Sequence, residues 1–132
     1  MYVFRVSTVV VNGSCRGRAA VIDDYISFFG EVDPERGVHR VRGKRVADRV
    51  LVFRGSRGST VGSYIIYSMK KNGKSPICFI VSRVDPVLVA GAVLAEIPLL
   101  VVEDFDSLIS TVDDGDLVEY CSEGGVIRVY KT

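Results

Sequence analysis

Three short, unbroken apolar runs constrain this chain most: Val50-Leu51-Val52-Phe53, Ile77-Cys78-Phe79-Ile80-Val81 and Leu99-Leu100-Val101-Val102. Runs without polar alternation suit strands covered on both faces, as in a parallel sheet. Helical signals fill the two gaps between them. In the first gap a Gly/Ser/Arg turn leads into a stretch predicted to be helical from about Ser59 to Asn72-Gly73, with Lys70 and Lys71 at its negative end. In the second, Asp85-Pro86 places an N-capping carboxylate ahead of a proline at the first helical position, and the helix stops before Pro98. Strand–helix–strand–helix–strand in this order implies parallel strands joined by right-handed crossovers.

The flanks read differently. Tyr2 to Val11 alternates and is rich in β-branched residues, which predicts a strand. Asn12 to Gly17 has turn chemistry, and Arg18 to Ile22 looks like the returning strand. Ser27-Phe28-Phe29-Gly30 is expected to be a core-facing β segment, Asp33-Pro34-Glu35-Arg36-Gly37 a solvated turn, and Val46 to Phe53 the next strand. Ser107 to Thr111 suggests a short helical turn, and Leu117–Tyr120 with Val126–Tyr130 a hairpin around Gly124-Gly125. No linker or repeat divides residues 1–132. The expected fold is a single α/β domain of three layers, β/β/α, with mixed sheets.

A chain of 132 residues, 48% of them hydrophobic, buries roughly two-thirds of its unfolded surface and needs no staple to hold a core. Its 17 basic and 16 acidic residues argue against a broad nucleic-acid face, although a small basic patch stays open. The apolar runs are far shorter than the ~20 residues of a membrane span. Met1-Tyr2-Val3-Phe4-Arg5 alternates like a strand and lacks a signal-peptide pattern, so a cytoplasmic protein is expected. Cys15, Cys78 and Cys121 are widely spaced, and His39 is the only histidine, expected at a surface or strand edge. That spacing argues against an intrinsic zinc or iron–sulfur site and against a histidine-based triad, and Cys78 is expected as a core thiol.

Chemistry is expected at Arg54-Gly55-Ser56-Arg57-Gly58-Ser59-Thr60, where a buried strand turns into a helix. Helix N-termini carry free N–H donors and partial positive charge. Spacing alone leaves a plain capping turn and an anion site equally open. The doubled Gly-Ser pairs and the flanking arginines, whose planar forks match carboxylate and phosphate, favour the anion site. Whether Ser56 or Ser59 faces it stays open. Gly37 to Arg45 imitates a phosphate-binding loop, but its glycines are one residue too far apart and Arg45 stands where a hydroxyl must bind magnesium. Asp23-Asp24 and Asp113-Asp114 are neighbours in loops and do not form a convincing acid/base pair.

Taken in order, several segments carry a further signal: Gly13 to Ala19, Ile26 to Pro34, Gly43, Leu51 to Thr60, Ser75-Pro76-Ile77, and Asp85-Pro86 to Gly91-Ala92. Together they resemble the small-subunit, swivel-domain family of aconitase X, over roughly Gly13 to Pro98. The sequence departs from that family at Phe29, where Trp is frequent, at Glu31, where a second Gly is common, and in a short segment between Gly37 and Gly43. The resemblance implies a swivelling β/β/α domain that closes over a large catalytic subunit, forming a heterodimer. It also implies that the partner, and not this chain, carries an iron–sulfur cluster, expected to be 4Fe-4S.

The implied reaction is a dehydration of mevalonate 5-phosphate to trans-anhydromevalonate 5-phosphate, in the archaeal mevalonate route to isoprenoids. Ser59 corresponds to the family's catalytic serine and is the expected proton-abstracting base. Gly58 is expected to permit close approach and Thr60 to orient the turn. Arg57, and with it Arg54, is expected to hold the carboxylate or phosphate of the substrate, with Ser56 as a further contact. Dehydration of a different hydroxy acid, such as a hydroxyproline, a non-catalytic anion-binding module, and a purely structural adaptor are the competing readings.

Overall fold

The computed structural model describes all 132 residues, Met1–Thr132. Its elements are β1 (Tyr2–Val11), β2 (Cys15–Ile26), α1 (Phe28–Glu31), β3 (Val32–Asp33), β4 (Val38–His39), β5 (Lys44–Arg45), β6 (Val50–Ser56), α2 (Gly62–Lys71), β7 (Cys78–Val81), α3 (Pro86–Ala95), β8 (Leu99–Val102), α4 (Phe105–Thr111), β9 (Leu117–Tyr120) and β10 (Val126–Tyr130). Seven strands close into a barrel in the order β1-β10-β9-β2-β6-β7-β8, and β3-β4-β5 form a separate small sheet.

The barrel is two sheets that share their long strands. The start of β1 pairs with β10 and its remainder with β8. Likewise Cys15–Arg18 of β2 lie antiparallel to β9, while Ala19–Ile26 run parallel to β6. The neighbours β6, β7 and β8 are parallel, as the apolar runs require. Alternation along these strands sends side chains into two cores. Val50, Val52, Cys78, Ile80, Leu100 and Val102 fill the space between the sheets with Val118, Tyr120, Ile127 and Val129, and α4 adds Phe105 and Leu108. Leu51, Phe53, Phe79, Val81 and Leu99 face the other way, against Ile66 and Met69 of α2 and Leu88, Ala92 and Ala95 of α3. Phe28, Phe53 and Phe79 meet edge to face, with ring centroids 5.5 to 5.9 Å apart. The layers are β/β/α, as expected.

Several features depart from the sequence reading, among them β6, which starts at Val50 rather than Val46 and runs on to Ser56. β2 begins at Cys15, inside the expected turn, and continues past the two aspartates to Ile26. Phe28–Glu31 is a helical turn, not a β segment, and only Phe28 of it is buried. α2 starts at Gly62, three residues after Ser59. Cys78 is not a free thiol: it is disulfide-bonded to Cys15, with Cα atoms 6.5 Å apart, joining the starts of β2 and β7 across the barrel. Cys121 is free and exposed. By contrast Asp85 caps α3 as expected, its Oδ1 accepting the Leu88 N–H at 2.9 Å.

The disulfide closes a long loop, with a sequence separation of 63 residues. Restricting the unfolded chain in this way is worth about 4 kcal/mol, so reduction is expected to lower the denaturant midpoint markedly, whereas Cys121→Ser leaves it unchanged.

Just before β9, Asp116, 1% exposed, receives hydrogen bonds from Lys131 Nζ, the Asp113 N–H and the Thr132 N–H and hydroxyl. Burial opposes its ionisation, but these donors outweigh it and hold the carboxyl down to about 2. A depressed carboxyl pKa contributes stability above its ordinary value, and that contribution fades as pH falls from about 4 through about 2. Asp116→Asn is therefore expected to cost about 1–3 kcal/mol at neutral pH and to flatten the acid limb of a stability–pH curve.

Candidate functional site

The carboxyl ends of three neighbouring parallel strands, β2, β6 and β7, open onto one edge of the sheet, the usual place for a ligand in such an arrangement. β6 leads here to Arg57-Gly58-Ser59-Thr60-Val61 and then α2. The turn is tied to β2, whose Ile26 carbonyl accepts the Arg57 N–H at 3.1 Å. Gly58 has φ +89°, and a Cβ there would stand 2.8 Å from the Ser27 hydroxyl. A side chain at this position would meet Ser27 of the chain itself, and the positive φ also favours glycine.

The three hydroxyls of the turn are not equivalent. Ser56 donates to Asp85 Oδ1 at 2.6 Å, bracing the end of β6 against the N-terminus of α3. Ser59 is exposed, and its Oγ accepts the Val61 N–H at 3.1 Å, while its carbonyl accepts the Gly62 N–H. Ser59 therefore sits ahead of α2, whose N-cap residue is Val61. Thr60 is also exposed, and its carbonyl accepts the Ser63 hydroxyl.

Both arginines of the turn are already paired. Arg54 gives Nε to Asp23 at 2.7 Å and Nη1 to Asp106 at 3.0 Å, with its guanidinium 5.5 Å from the Phe105 ring centroid. The hydrogen bonds to Asp106 and Asp23 raise its pKa, so it stays cationic as the centre of a structural cluster facing α4. Arg57 gives Nη2 to Glu31 at 2.6 Å and Nε to the Tyr25 carbonyl at 3.3 Å, and it remains half exposed with Nη1 unbonded.

Sequence reasoning missed what supports Arg57. Glu31, 14% exposed at its side chain, also accepts from His39 Nε2 at 2.9 Å and from the Ser27 N–H. His39 is not at a surface or edge: it lies in the middle strand of the small sheet, 2% exposed, and its Nδ1 accepts the Arg42 N–H. A backbone donor at Nδ1 places the ring proton on Nε2, directed at Glu31. The small sheet therefore holds a buried histidine that fixes a carboxylate that fixes Arg57. Removing the hub, Glu31→Ala, leaves His39 without its partner; a loss of about 1–3 kcal/mol is expected by denaturant unfolding, with faster motion of Arg57 by NMR.

No group of three or more His, Cys, Asp or Glu side chains converges as a metal site. Cys15 and Cys78 hold each other and Cys121 stands apart, so the chain's thiols do not fit an iron–sulfur cluster. Neither concavity of the surface reaches the Ser59 turn. One is lined by Ser14–Arg16 and Glu119–Cys121, the other by Arg18, Arg42, Lys44, Arg49 and Asp114 among others.

This architecture and edge site define a swivel domain: residues 4–129 match the profile of the aconitase X swivel domain, and the chain belongs to that family. It is 47% identical over 122 residues to the phosphomevalonate dehydratase small subunit of Aeropyrum pernix, covering 89% of this chain and 87% of that protein. The subunit of the same name from Archaeoglobus fulgidus is 37% identical, with 91% and 93% covered. A crystal structure of Thermococcus kodakaraensis aconitase X in its holo form superposes with a TM-score of 0.87 at 31% identity, over 99% of this chain and 100% of that one.

Proposed function

We propose that this chain is the small subunit of a two-subunit hydro-lyase that dehydrates mevalonate 5-phosphate to trans-anhydromevalonate 5-phosphate, working in the cytoplasm on the archaeal mevalonate route to isoprenoids. The names and high coverage of the relatives support the dehydratase and its substrate. The phrase "small subunit" in those names supports a larger partner.

The observation that carries the chemistry is the backbone N–H aimed at Ser59 Oγ. Ser59 is the hydroxyl of the turn that both faces outward and receives such a donor. Removing water from a β-hydroxy acid requires a base for the proton on the carbon beside the carboxylate. A serine oxygen is a weak base until charge on it is stabilised. The Val61 N–H and the positive N-terminal end of α2 stabilise the alkoxide formed when the Ser59 hydroxyl gives its proton to solvent, and that alkoxide takes the substrate proton. Gly58 keeps the turn free of a side chain against Ser27, and Thr60 leads the turn into α2. Arg57, oriented by Glu31, presents Nη1 to the substrate. Ser56 and Arg54 brace the turn through Asp85, Asp23 and Asp106 rather than touching substrate. In this proposal an iron–sulfur cluster on the large subunit, of the 4Fe-4S kind, supplies the Lewis acid that helps hydroxide depart.

An exposed turn that neither concavity reaches encloses no substrate, which supports a site closed by a second chain. A free-standing anion-docking module is the poorer reading, because Arg54 and Arg57 are both paired with carboxylates of their own chain.

The test is anaerobic turnover by the mixed subunits and by each alone. Product is expected from the mixture only. Ser59→Ala, at an exposed position, is expected to preserve assembly and lower kcat by about 10²–10⁴-fold; near-normal turnover rules out Ser59 as the base. If an assembled, cluster-intact mixture turns over a hydroxyproline-type acid and not mevalonate 5-phosphate, the substrate assignment fails.

A further inference from the structure

A third arginine stands at the same edge, and the sequence pattern gave no reason to single it out. Arg83 follows β7, in the segment that leads to α3. Its position is well determined by the backbone. The N–H groups of Ser82 and Arg83 both donate to the Arg54 carbonyl, at 3.1 and 3.2 Å. The Arg83 carbonyl lies over Gly55, 2.8 Å from where a Cβ would be, and the Tyr25 ring lies 3.3 Å from the same point. Tyr25 is the register partner of Gly55 in the β2–β6 pair. One stacked group thus spans the carboxyl ends of β2, β6 and β7.

The side chain is held in an unusual way. The Arg83 guanidinium sits over the Tyr25 ring, 5.1 Å from its centroid. It makes no ion pair and no side-chain hydrogen bond, unlike Arg54 and Arg57 beside it. The carboxylate on its own segment, Asp85, is directed to Ser56 and the Leu88 N–H instead. A guanidinium held by its face keeps its N–H edge free, and that edge is the part that matches two oxygens of a carboxylate or phosphate. The Tyr25 carbonyl accepts Arg57 Nε, which links the ring that carries Arg83 to the Ser59 turn.

We propose that Arg83, stacked on Tyr25, is a substrate-binding residue that takes an oxyanion of the substrate, its carboxylate or its phosphate, through its free N–H edge. This rests on the reading of the Ser59 turn as a dehydratase site. Arg83 then joins Arg57 at the substrate, in the place that composition suggests for Arg54.

The test uses the assembled two-subunit enzyme with Arg83→Ala and Arg83→Lys. Losing a charge-assisted contact is expected to raise KM for mevalonate 5-phosphate about 10- to 100-fold, with kcat within a few-fold and partial recovery in Arg83→Lys. Competitive inhibition separates the two sources. A raised inhibition constant for inorganic phosphate assigns Arg83 to the phosphate, and one for unphosphorylated mevalonate assigns it to the carboxylate.

An unchanged KM overturns the proposal. So does weakened subunit association with an unchanged KM in the assembled fraction, which makes Arg83 an interface residue. If the wild-type mixture is inert toward mevalonate 5-phosphate, the substrate assignment has failed separately. The full chain titrated with inorganic phosphate and with acetate then decides: a saturable shift of the Arg83 Nε–H resonance with either anion supports the proposal, and no shift with either overturns it.

Discussion

The parallel pairing of β2 with β6 is the constraint on which the rest of the molecule depends. β2 is twelve residues long, and after Arg18 it changes partner from β9 to β6. A strand that serves two sheets forces them to lie face to face, and with β1 doing the same opposite, the barrel closes and no edge is left unpaired. The far end of β2 has a second consequence. A register irregularity between Ile22 and Tyr25 re-aims the strand just before it meets the end of β6. Tyr25 and Ile26 then lie beside Gly55 and Ser56, and the Ile26 carbonyl takes the Arg57 N–H. The turn that carries Ser59 is held by the same strand that organises the core.

Charge at this edge is sorted between holding the fold and facing outward. Arg54 and Arg57 are anchored by carboxylates from distant parts of the chain: Asp23 and Asp106 for one, Glu31 for the other. Glu31 in turn depends on His39 from the small β3-β4-β5 sheet. That sheet adds little to either core, but it delivers a buried histidine to the back of the site. Ser59, Thr60 and Arg83 remain on the outward side with their polar ends free of acidic partners, although the chain as a whole is nearly neutral. Preorganised donors on a surface without a pocket suit a domain that completes its site against another body.

Much of the fold was legible because it follows from local rules. The β8, β9 and β10 strands coincide with their apolar or alternating runs, and Asp85-Pro86 starts α3 as an N-cap and first-turn proline must. Where the reading missed, a tertiary pairing had overridden local chemistry. Cys15-Arg16-Gly17 has turn composition, yet pairing with β9 draws it into β2, and pairing with β6 carries the strand through Asp23-Asp24. Ser27 to Gly30 is apolar enough for a strand, but β2 ends at Ile26 and the chain must turn, so Phe28 reaches the core from a helical turn.

The sequence by itself determined the layered α/β architecture, the place where the edge opens and the hydroxyl-rich turn at its mouth, because these depend on periodicity and on residues close together in the chain. Its family membership was legible in the ordered segments as well. Only the tertiary structure decided which groups at that mouth are free. Ser56 and Ser59 are three residues apart and chemically identical, yet one is bonded to Asp85 and the other receives a backbone N–H. Arg54, Arg57 and Arg83 carry the same charge, but their availability depends on Asp23, Asp106, Glu31 and Tyr25, which reach the edge from other elements. Pairing over such separations follows from how the sheets close, and no local pattern in the chain records it.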